Sequence, residues 1–340
     1  MVTIPEFAVI GGETIQEILS GRHAEIMAVV ERAYRTHGSG DSVNPPSYFL
    51  RFRDRPESRI IALPASLGGE FAVDGLKWIS SFPGNLGAGL PRASAVLILN
   101  DPRTGFPLAC LESSIISATR TAASAALAAT TLHEGRARPR RAVFFGAGLI
   151  ARYIHTFLHA TGWEFAEVGV FDLAPAYAEA FEAYLTANGE AGRTRIHRSA
   201  ESAIRDSDLI IFATTAAKPH IHDPSWFAHN PTVLHVSLRD LAPEIILRST
   251  NVLDDVDHCL KADTSPHLAE QLTGSRSFVH GVLPDVLRDA VELPTDRPLI
   301  FSPFGLGVLD LAVGRFVYDT AAATGKLHEV PGFFHELSRY

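Results

Sequence analysis

The sequence predicts an α/β protein of two domains: one built on a doubly wound parallel sheet, the other a discontinuous α+β domain made from both ends of the chain. Three observations carry this. From Arg141 onward short apolar runs alternate with helical patterns, at Ala142–Phe145, Val168–Phe171, Thr194–His197, Leu209–Ala213, Val233–Ser237 and Asn251–Asp254, the rhythm of parallel strands joined by crossover helices. Gly146, Gly148 and Ala151 stand between the first run and its helix in the spacing G-x-G-x-x-A. Residues 47–110 instead read as strands in close succession, bounded by Gly, Pro, Asp or Asn. The expected domains are 1–132 with 306–340, and 133–305.

Taken in order, residues 1–40 read as a strand and then a helix. Gly11-Gly12-Glu13 makes the turn; Ile15, Ile18 and Leu19 open a helical stripe that resumes at Ile26, Val29, Val30 and Ala33. Gly38–Asn44, stopped by Pro45-Pro46, is expected as loop. Strands follow at Tyr48–Phe52, Arg59–Leu63, Phe71–Ile79 and Ala93–Leu99. Asn100–Gly105 is a hairpin turn, because Pro102 and Gly105 punctuate it and Asp101 can hold it by side-chain bonds. Phe106–Cys110 is the returning strand, and Leu111–Leu132 a long Ala-rich helix. His133–Arg141 is short, basic and contains Gly135 and Pro139, which suits a crossing between domains. After the alternating segment Leu299–Ser302 is a late strand. Leu306–Ala323 is a closing helix with Leu309, Val313, Phe316, Val317 and Thr320 on one face, expected to return to the first domain.

The bulk numbers narrow the function. The 340 residues are ample for a large core, and 46% hydrophobic with 20% charged residues excludes a disordered or fibrous chain. A net charge of −8 argues against nucleic acid or an anionic membrane as partner, so an anionic substrate would have to be held by local cations. Cys110 and Cys259 match no metal or redox spacing, which points to a reducing, cytoplasmic setting. The start, MVTIPEFAVIGGE, lacks the basic leader of a signal peptide, and no apolar run is long enough to span a bilayer. The fifteen histidines include His220-x-His222 but no H-E-x-x-H or Cys/His quartet, and Asp254-Asp255-x-Asp257 lacks the Gly and Glu of a calcium loop. No metal is expected.

The stretch Arg141–Ala160 reads as strand, tight turn and helix. Gly146 lets the chain turn, and Gly148 lets backbone N–H groups approach a pyrophosphate. Ala151 lets helix and strand pack closely, with the helix N-terminus facing the anion. Gly146, Ala147, Gly148, Leu149, Ile150 and Ala151 are therefore the expected dinucleotide cradle of a Rossmann-type domain. Asp172 closes the run Glu167–Phe171, about 20 residues after Ala151, where the acid for a ribose 2′-hydroxyl should stand. No Arg or Lys follows it in LAPAYAEAFEAY, so NAD is favoured over NADP. The bland alternative is a structural glycine turn without ligand. Thr214-Thr215, at the end of Leu209–Ala213, reads equally as a crevice lining or as a helix cap.

Chemistry in the first domain rests on Arg59, Lys77, Arg92 and Arg120. Arg120 interrupts the small, apolar helix SATRTAASAALAA, where a lone guanidinium would be costly to bury, so it needs an anion from the protein or from a substrate. Lys77 lies in the strand run Leu76–Ile79. Singly, each reads as a structural salt bridge; together they match carboxylates in geometry. Asp240 follows Ser237-Leu-Arg at a strand's C-terminal end, as a general base in the crevice or as the cap of Pro243–Leu247.

These residues resemble the ornithine cyclodeaminase/μ-crystallin family from about Arg59 to Gly325. The markers are RIIALPA, GLKWI, SATRTAASAALAA, GAGLIA, Asp240, and SPFGLGVLDLAVGRFVYDTA with Asp310. RIIALPASLGGE, GLKWISS and PRASAVLILNDPRTGFPLACLESSIISATRTAA are most similar to the branch that makes L-2,3-diaminopropionate for siderophores and antibiotics. The chain departs from the wider family in reading Asp240-Leu-Ala-Pro-Glu-Ile where cyclodeaminases carry P-G-K-x-E-L after the aspartate. The resemblance implies NAD-dependent oxidation of N-(2-amino-2-carboxyethyl)-L-glutamate, then hydrolysis to 2-oxoglutarate and L-2,3-diaminopropionate. Arg59, Lys77 and Arg120 would grip one carboxylate and Arg92 another, and Asp240 and Lys77 would share proton transfer. Thr121 and Ser237 would join Thr214 and Thr215 around the nucleotide, and the first domain's sheet would form a homodimer. Ornithine cyclodeamination, an alanine or imino-acid dehydrogenase reaction, or a non-catalytic crystallin-like binder are the alternatives.

Overall fold

A computed structural model describes residues 6–135, 137–189 and 192–335. In chain order the first elements are β1 (Phe7–Ile10), α1 (Gly12–Leu19), α2 (His23–Gly38), β2 (Ser42–Val43), β3 (Tyr48–Arg51), β4 (Arg59–Leu67), β5 (Val73–Ser81), β6 (Ala93–Asn100), β7 (Pro107–Glu112) and α3 (Ser114–Leu132). Next come β8 (Arg141–Phe145), α4 (Leu149–Ala160), β9 (Glu167–Phe171), α5 (Pro175–Asn188), β10 (Thr194–Ile196), α6 (Ala200–Arg205), β11 (Leu209–Phe212) and β12 (Thr232–His235). The remainder is α7 (Pro243–Leu247), β13 (Thr250–Leu253), α8 (Val256–Cys259), α9 (Ser265–Thr273), β14 (Val279–Val282), α10 (Leu283–Val286), β15 (Leu299–Ser302), α11 (Gly307–Ala323) and β16 (His328–Val330). The chain divides into two compact units, Met1–Arg120 with Leu306–Tyr340, and Thr121–Gly305. The division falls inside α3, twelve residues before the break at Leu132 that composition suggests.

The first unit is organised on a mixed sheet in the order β16-β1-β7-β6-β5-β4-β2, with β3 also on β4. Its apolar face is covered by helices, with α11 packed on β4, β5 and β6. A Cβ added at Gly314 would stand 2.3 Å from Leu97 Cδ2, so glycine is what lets α11 lie this close to β6. Cross-strand register sorts the side chains. Leu63, Lys77 and Leu97 form one row and Ala62, Trp78 and Val96 the neighbouring row, so Lys77 and Trp78 point to opposite faces. Several details depart from the sequence reading. The single helix expected in residues 1–40 is divided into α1 and α2, and β2 at Ser42–Val43 forms inside the stretch expected as loop because it pairs with β4. Helix α1 begins at Gly12 instead of turning there. Strand β4 continues through Pro64 to Leu67, because Pro64 falls between its edge partners β3 and β2, where a missing N–H is tolerated. Leu111 and Glu112 stay in β7, and α3 starts at Ser114 because the Glu112 carboxylate accepts the N–H groups of Ser114 (2.6 Å) and Ile115 (3.1 Å).

The second unit is an eight-stranded, wholly parallel sheet, β10-β9-β8-β11-β12-β15-β13-β14. Strand order reverses between β8 and β11, which places the crevice beyond their carboxyl ends. Its core includes Val143, Phe145, Ile210, Phe212, Val233 and Ile300, all fully buried, as expected of strands covered on both faces. Strand β14 carries His280 and Gly281 instead of an apolar run, so sequence periodicity passes over it. No helix among the described residues is long and apolar enough to cross a membrane.

Candidate active site

In the first unit Lys77 and Arg120 converge on one carboxylate. Lys77, 2% exposed, donates from Nζ to Asp310 Oδ2 at 2.7 Å and to Ser117 Oγ at 3.3 Å. Arg120 Nε donates to Asp310 Oδ1 at 3.1 Å. The anion that Arg120 needs is thus supplied by the protein, as the salt-bridge reading expects. The count still leaves two cations to one anion. Burial, and then the neighbouring Arg120, lower the Lys77 ammonium to a pKa of about 8, with Asp310 pulling the other way. Asp310 sits in the first turn of α11, where the helix dipole favours a carboxylate. Its sequence signals are an acid inside the apolar run LGVLDLAVG and its place among the markers of the family resemblance.

Arg59 and Arg92 belong to a second position on the same sheet. Arg59 lies opposite Ser81 across β4 and β5, and Arg92 Nη1 donates to Ser81 Oγ at 2.7 Å. Ser81 shares a face of β5 with Lys77, about 13 Å along the strand by its rise per residue. Partial burial lowers the Arg92 pKa, and no acidic side chain pairs with Arg92 among the described residues.

In the second unit the chain turns sharply after β8. Gly146 has φ +86°, its N–H donates to Phe171 O at 2.9 Å, and a Cβ there would lie 2.6 Å from Ala213 O. Only glycine fits this conformation and approach. Gly148 caps α4 in an extended conformation, and a Cβ at that point would meet nothing within 4 Å. Leu149 is half exposed, Ile150 partly buried, and Ala151 fully buried. The Asp172 carboxylate accepts the N–H of Ala147 on Oδ2 (2.9 Å) and of Ala174 on Oδ1 (2.8 Å), tying the end of β9 to the turn. An open helix N-terminus, a glycine cradle and an acid at the next strand end fit a dinucleotide. Thr121 lies on α3, and Thr215 is exposed beyond the end of β11.

Asp240 is a hub in the same unit. Its carboxylate is fully buried. Oδ1 receives the Thr214 hydroxyl at 2.5 Å and lies 3.0 Å from His220 Nε2. Oδ2 receives the Ser237 hydroxyl and lies 3.3 Å from His235 Nε2. Burial alone would raise its pKa, but the polar groups that face it, His220, His235 and Ser237, outweigh burial and hold the group far below the usual carboxylate range. The intervening Leu238 adopts φ +70°, a strained conformation for leucine that persists where surroundings impose it. Sequence reads Asp240 as a crevice base or as the cap of Pro243–Leu247; in the structure Ala242 is the N-cap of that helix, and both oxygens of Asp240 are engaged by side chains. In the sequence His220 shows only as part of His220-x-His222, and His235 lies at the end of an apolar strand run without a motif. Among the described residues, no group of three or more His, Cys, Asp or Glu is gathered as a metal site.

Known proteins share this architecture. The chain is 27% identical over 321 residues to the N-((2S)-2-amino-2-carboxyethyl)-L-glutamate dehydrogenase of Staphylococcus aureus, covering 90% of this chain and 93% of that one. It is 29% identical over 327 residues to the alanine dehydrogenase of Archaeoglobus fulgidus, covering 93% and 95%. The solved structure of an archaeal alanine dehydrogenase dimer with bound NAD matches with a TM-score of 0.85 at 26% identity, over 96% of this chain and 100% of that one. A family profile matches residues 13–325, and the chain belongs to the ornithine cyclodeaminase/mu-crystallin family.

Proposed function

We propose that this chain is an NAD-dependent oxidoreductase of amino-acid C–N bonds that oxidises N-(2-amino-2-carboxyethyl)-L-glutamate and releases 2-oxoglutarate and L-2,3-diaminopropionate. The observation that carries this substrate over alanine or ornithine is Arg92. It is a partly buried guanidinium whose hydrogen-bond partner is a serine hydroxyl, with no acidic side chain paired to it among the described residues. A substrate with three carboxylates supplies the missing anion; a monocarboxylic amino acid does not. The Staphylococcus aureus relative is named for this same substrate.

Lys77 and Arg120, which Asp310 holds in place, take the glutamate α-carboxylate, while Arg59 and Arg92, beside Ser81, take the further carboxylates. Gly146–Ala151 and Asp172 hold the nucleotide, with Thr121, Thr214, Thr215 and Ser237 assigned around it. The Asp172 carboxylate would repel a 2′-phosphate, which selects NAD. NAD, when bound, supplies the two-electron acceptor. Asp240 anchors the groups that move protons to and from the substrate nitrogen. The reaction suits a cytoplasmic setting in which Cys110 and Cys259 stay as thiols. Self-association as a homodimer through the outer face of the first unit's sheet is supported by its exposed Trp78 and Val96, each 40% accessible.

The test is to incubate purified protein and NAD with the conjugate, L-alanine, L-ornithine or L-proline. NADH absorbance should rise with the conjugate alone, with one L-2,3-diaminopropionate released per NADH. NADH formation with L-alanine in preference to the conjugate would refute the substrate assignment.

A further inference from the structure

We propose that His220 is the proton-exchanging catalytic residue of this enzyme, with Asp240 as its orienting carboxylate. The inference rests on the dehydrogenase reading above. Four groups reach the Asp240 carboxylate, and they are not equivalent. Thr214 and Ser237 contribute hydroxyls, which do not ionise near neutral pH. His235 is fully buried, and its two nitrogens are occupied: Nε2 accepts the Asp240 backbone N–H at 3.2 Å, and Nδ1 faces Ser302 Oγ at 3.3 Å. His220 differs. Its side chain is 39% accessible and only Nε2 faces Asp240, at 3.0 Å.

The tautomer follows from chemistry. An ionised Asp240 can only accept, so His220 Nε2 carries the hydrogen and Nδ1 carries the lone pair. The backbone fixes the pair as firmly as the side chains do. The N–H groups of His220 and Ile221 both lie 3.0 Å from Asp240 O, and the Ala242 N–H returns to Ile221 O at 2.8 Å. The ring of Phe212 stands against the imidazole, with centroids 6.5 Å apart. Phe212 is the last residue of β11, so this dyad belongs to the strand end whose continuation, Ala213 and Thr214, packs on Gly146. In the forward direction Nδ1 takes a proton from the substrate ammonium, which frees the nitrogen lone pair, and Asp240 stabilises the resulting imidazolium. The Cα–H electron pair would leave as hydride to NAD, the C=N bond so formed takes up water, and the added water gives one proton to solvent. The imidazolium then returns its proton to the nitrogen as the C–N bond breaks, and the hydroxyl loses its proton to solvent to become the keto C=O.

The test compares wild type with His220→Ala and His220→Gln, with His222→Ala as control. Each is assayed for NADH formation on the conjugate and on L-alanine, for NADH affinity by fluorescence, and for melting temperature. The expected result is a loss of about 100-fold or more in kcat for both His220 variants. Melting temperature and NADH affinity should stay unchanged, and His222→Ala should retain wild-type rates. Added imidazole should restore His220→Ala at least in part but not His220→Gln, whose side chain fills the space. His220 variants within threefold of wild type overturn the proposal, as does a stable, NADH-binding His220→Ala enzyme that imidazole fails to rescue. Wild-type protein that oxidises neither amino acid overturns the dehydrogenase reading instead, which separates the two failures.

Discussion

Asp310 is one buried carboxylate between two cations, and the energetics of the first unit turn on that ratio. Replacing it by Asn would leave Lys77 and Arg120 facing each other without a counter-charge. Asp310→Asn should therefore cost about 3–5 kcal/mol of stability, measured by urea unfolding, instead of the fraction lost from a surface pair. Lys77 adds a pH signature. Its ammonium is lowered from 10.5 to about 8. If it grips a carboxylate, that grip weakens as the charge is lost, so KM should climb above pH 8 while kcat changes little. Lys77→Arg, whose guanidinium does not titrate there, should flatten the climb. A base role would give the opposite sign, with rates rising through pH 8. Stability follows proton linkage: between about pH 8 and 10.5 the unfolded chain binds the Lys77 proton and the folded chain does not, so stability gained from this group rises with pH across that window.

At the scale of elements, the β8–α4 turn is built on Gly146, which tolerates no side chain. Gly146→Val would need a branched residue at φ +86° with its Cβ against Ala213 O. NADH fluorescence should show affinity falling by about 100-fold or more, with far-UV circular dichroism unchanged, because the strain is local to the turn. This turn was fully legible in the sequence, since a glycine spacing between an apolar run and a helical stripe encodes local geometry. So were seven of the eight strands of the parallel sheet and the hairpin at Asn100–Gly105. What escaped was set by partners distant in the chain. Strand β14 exists because β13 offers it an edge, Pro64 stays in β4 because its neighbours leave it a gap, and Glu112 decides where α3 begins. The same holds within the site. Arg59, Lys77, Arg92 and Arg120 stood out as cations in apolar company, but Asp310 is separated from Lys77 by 233 residues, and no local pattern announces their bond. His220 was visible only as half of a weak H-x-H, because its meaning depends on a loop that brings it to Asp240.

For the whole molecule the first unit's sheet poses a question of assembly. One face carries Lys77 and is covered by helices; the other carries the row Tyr48, Ala62, Trp78 and Val96, with Tyr48 69% and Trp78 and Val96 each 40% exposed. A contiguous apolar row on a sheet is costly to leave in water and is a common form of protein interface. With a net charge of −8, two copies repel each other at long range, so association has to be carried by this apolar row and should survive high salt. Light scattering should therefore give a mass twice the chain's 36.8 kDa at both low and high ionic strength. Trp78→Glu combined with Val96→Glu would bury like charges in the middle of a symmetric contact, where each copy meets its own image. That variant should run at the mass of a single chain while keeping its melting transition and NADH affinity, since both positions face away from Lys77 and lie outside the unit that carries the Gly146 turn. A wild type that is monomeric at micromolar concentration, or a double variant that stays dimeric, would move the assembly surface elsewhere on the chain.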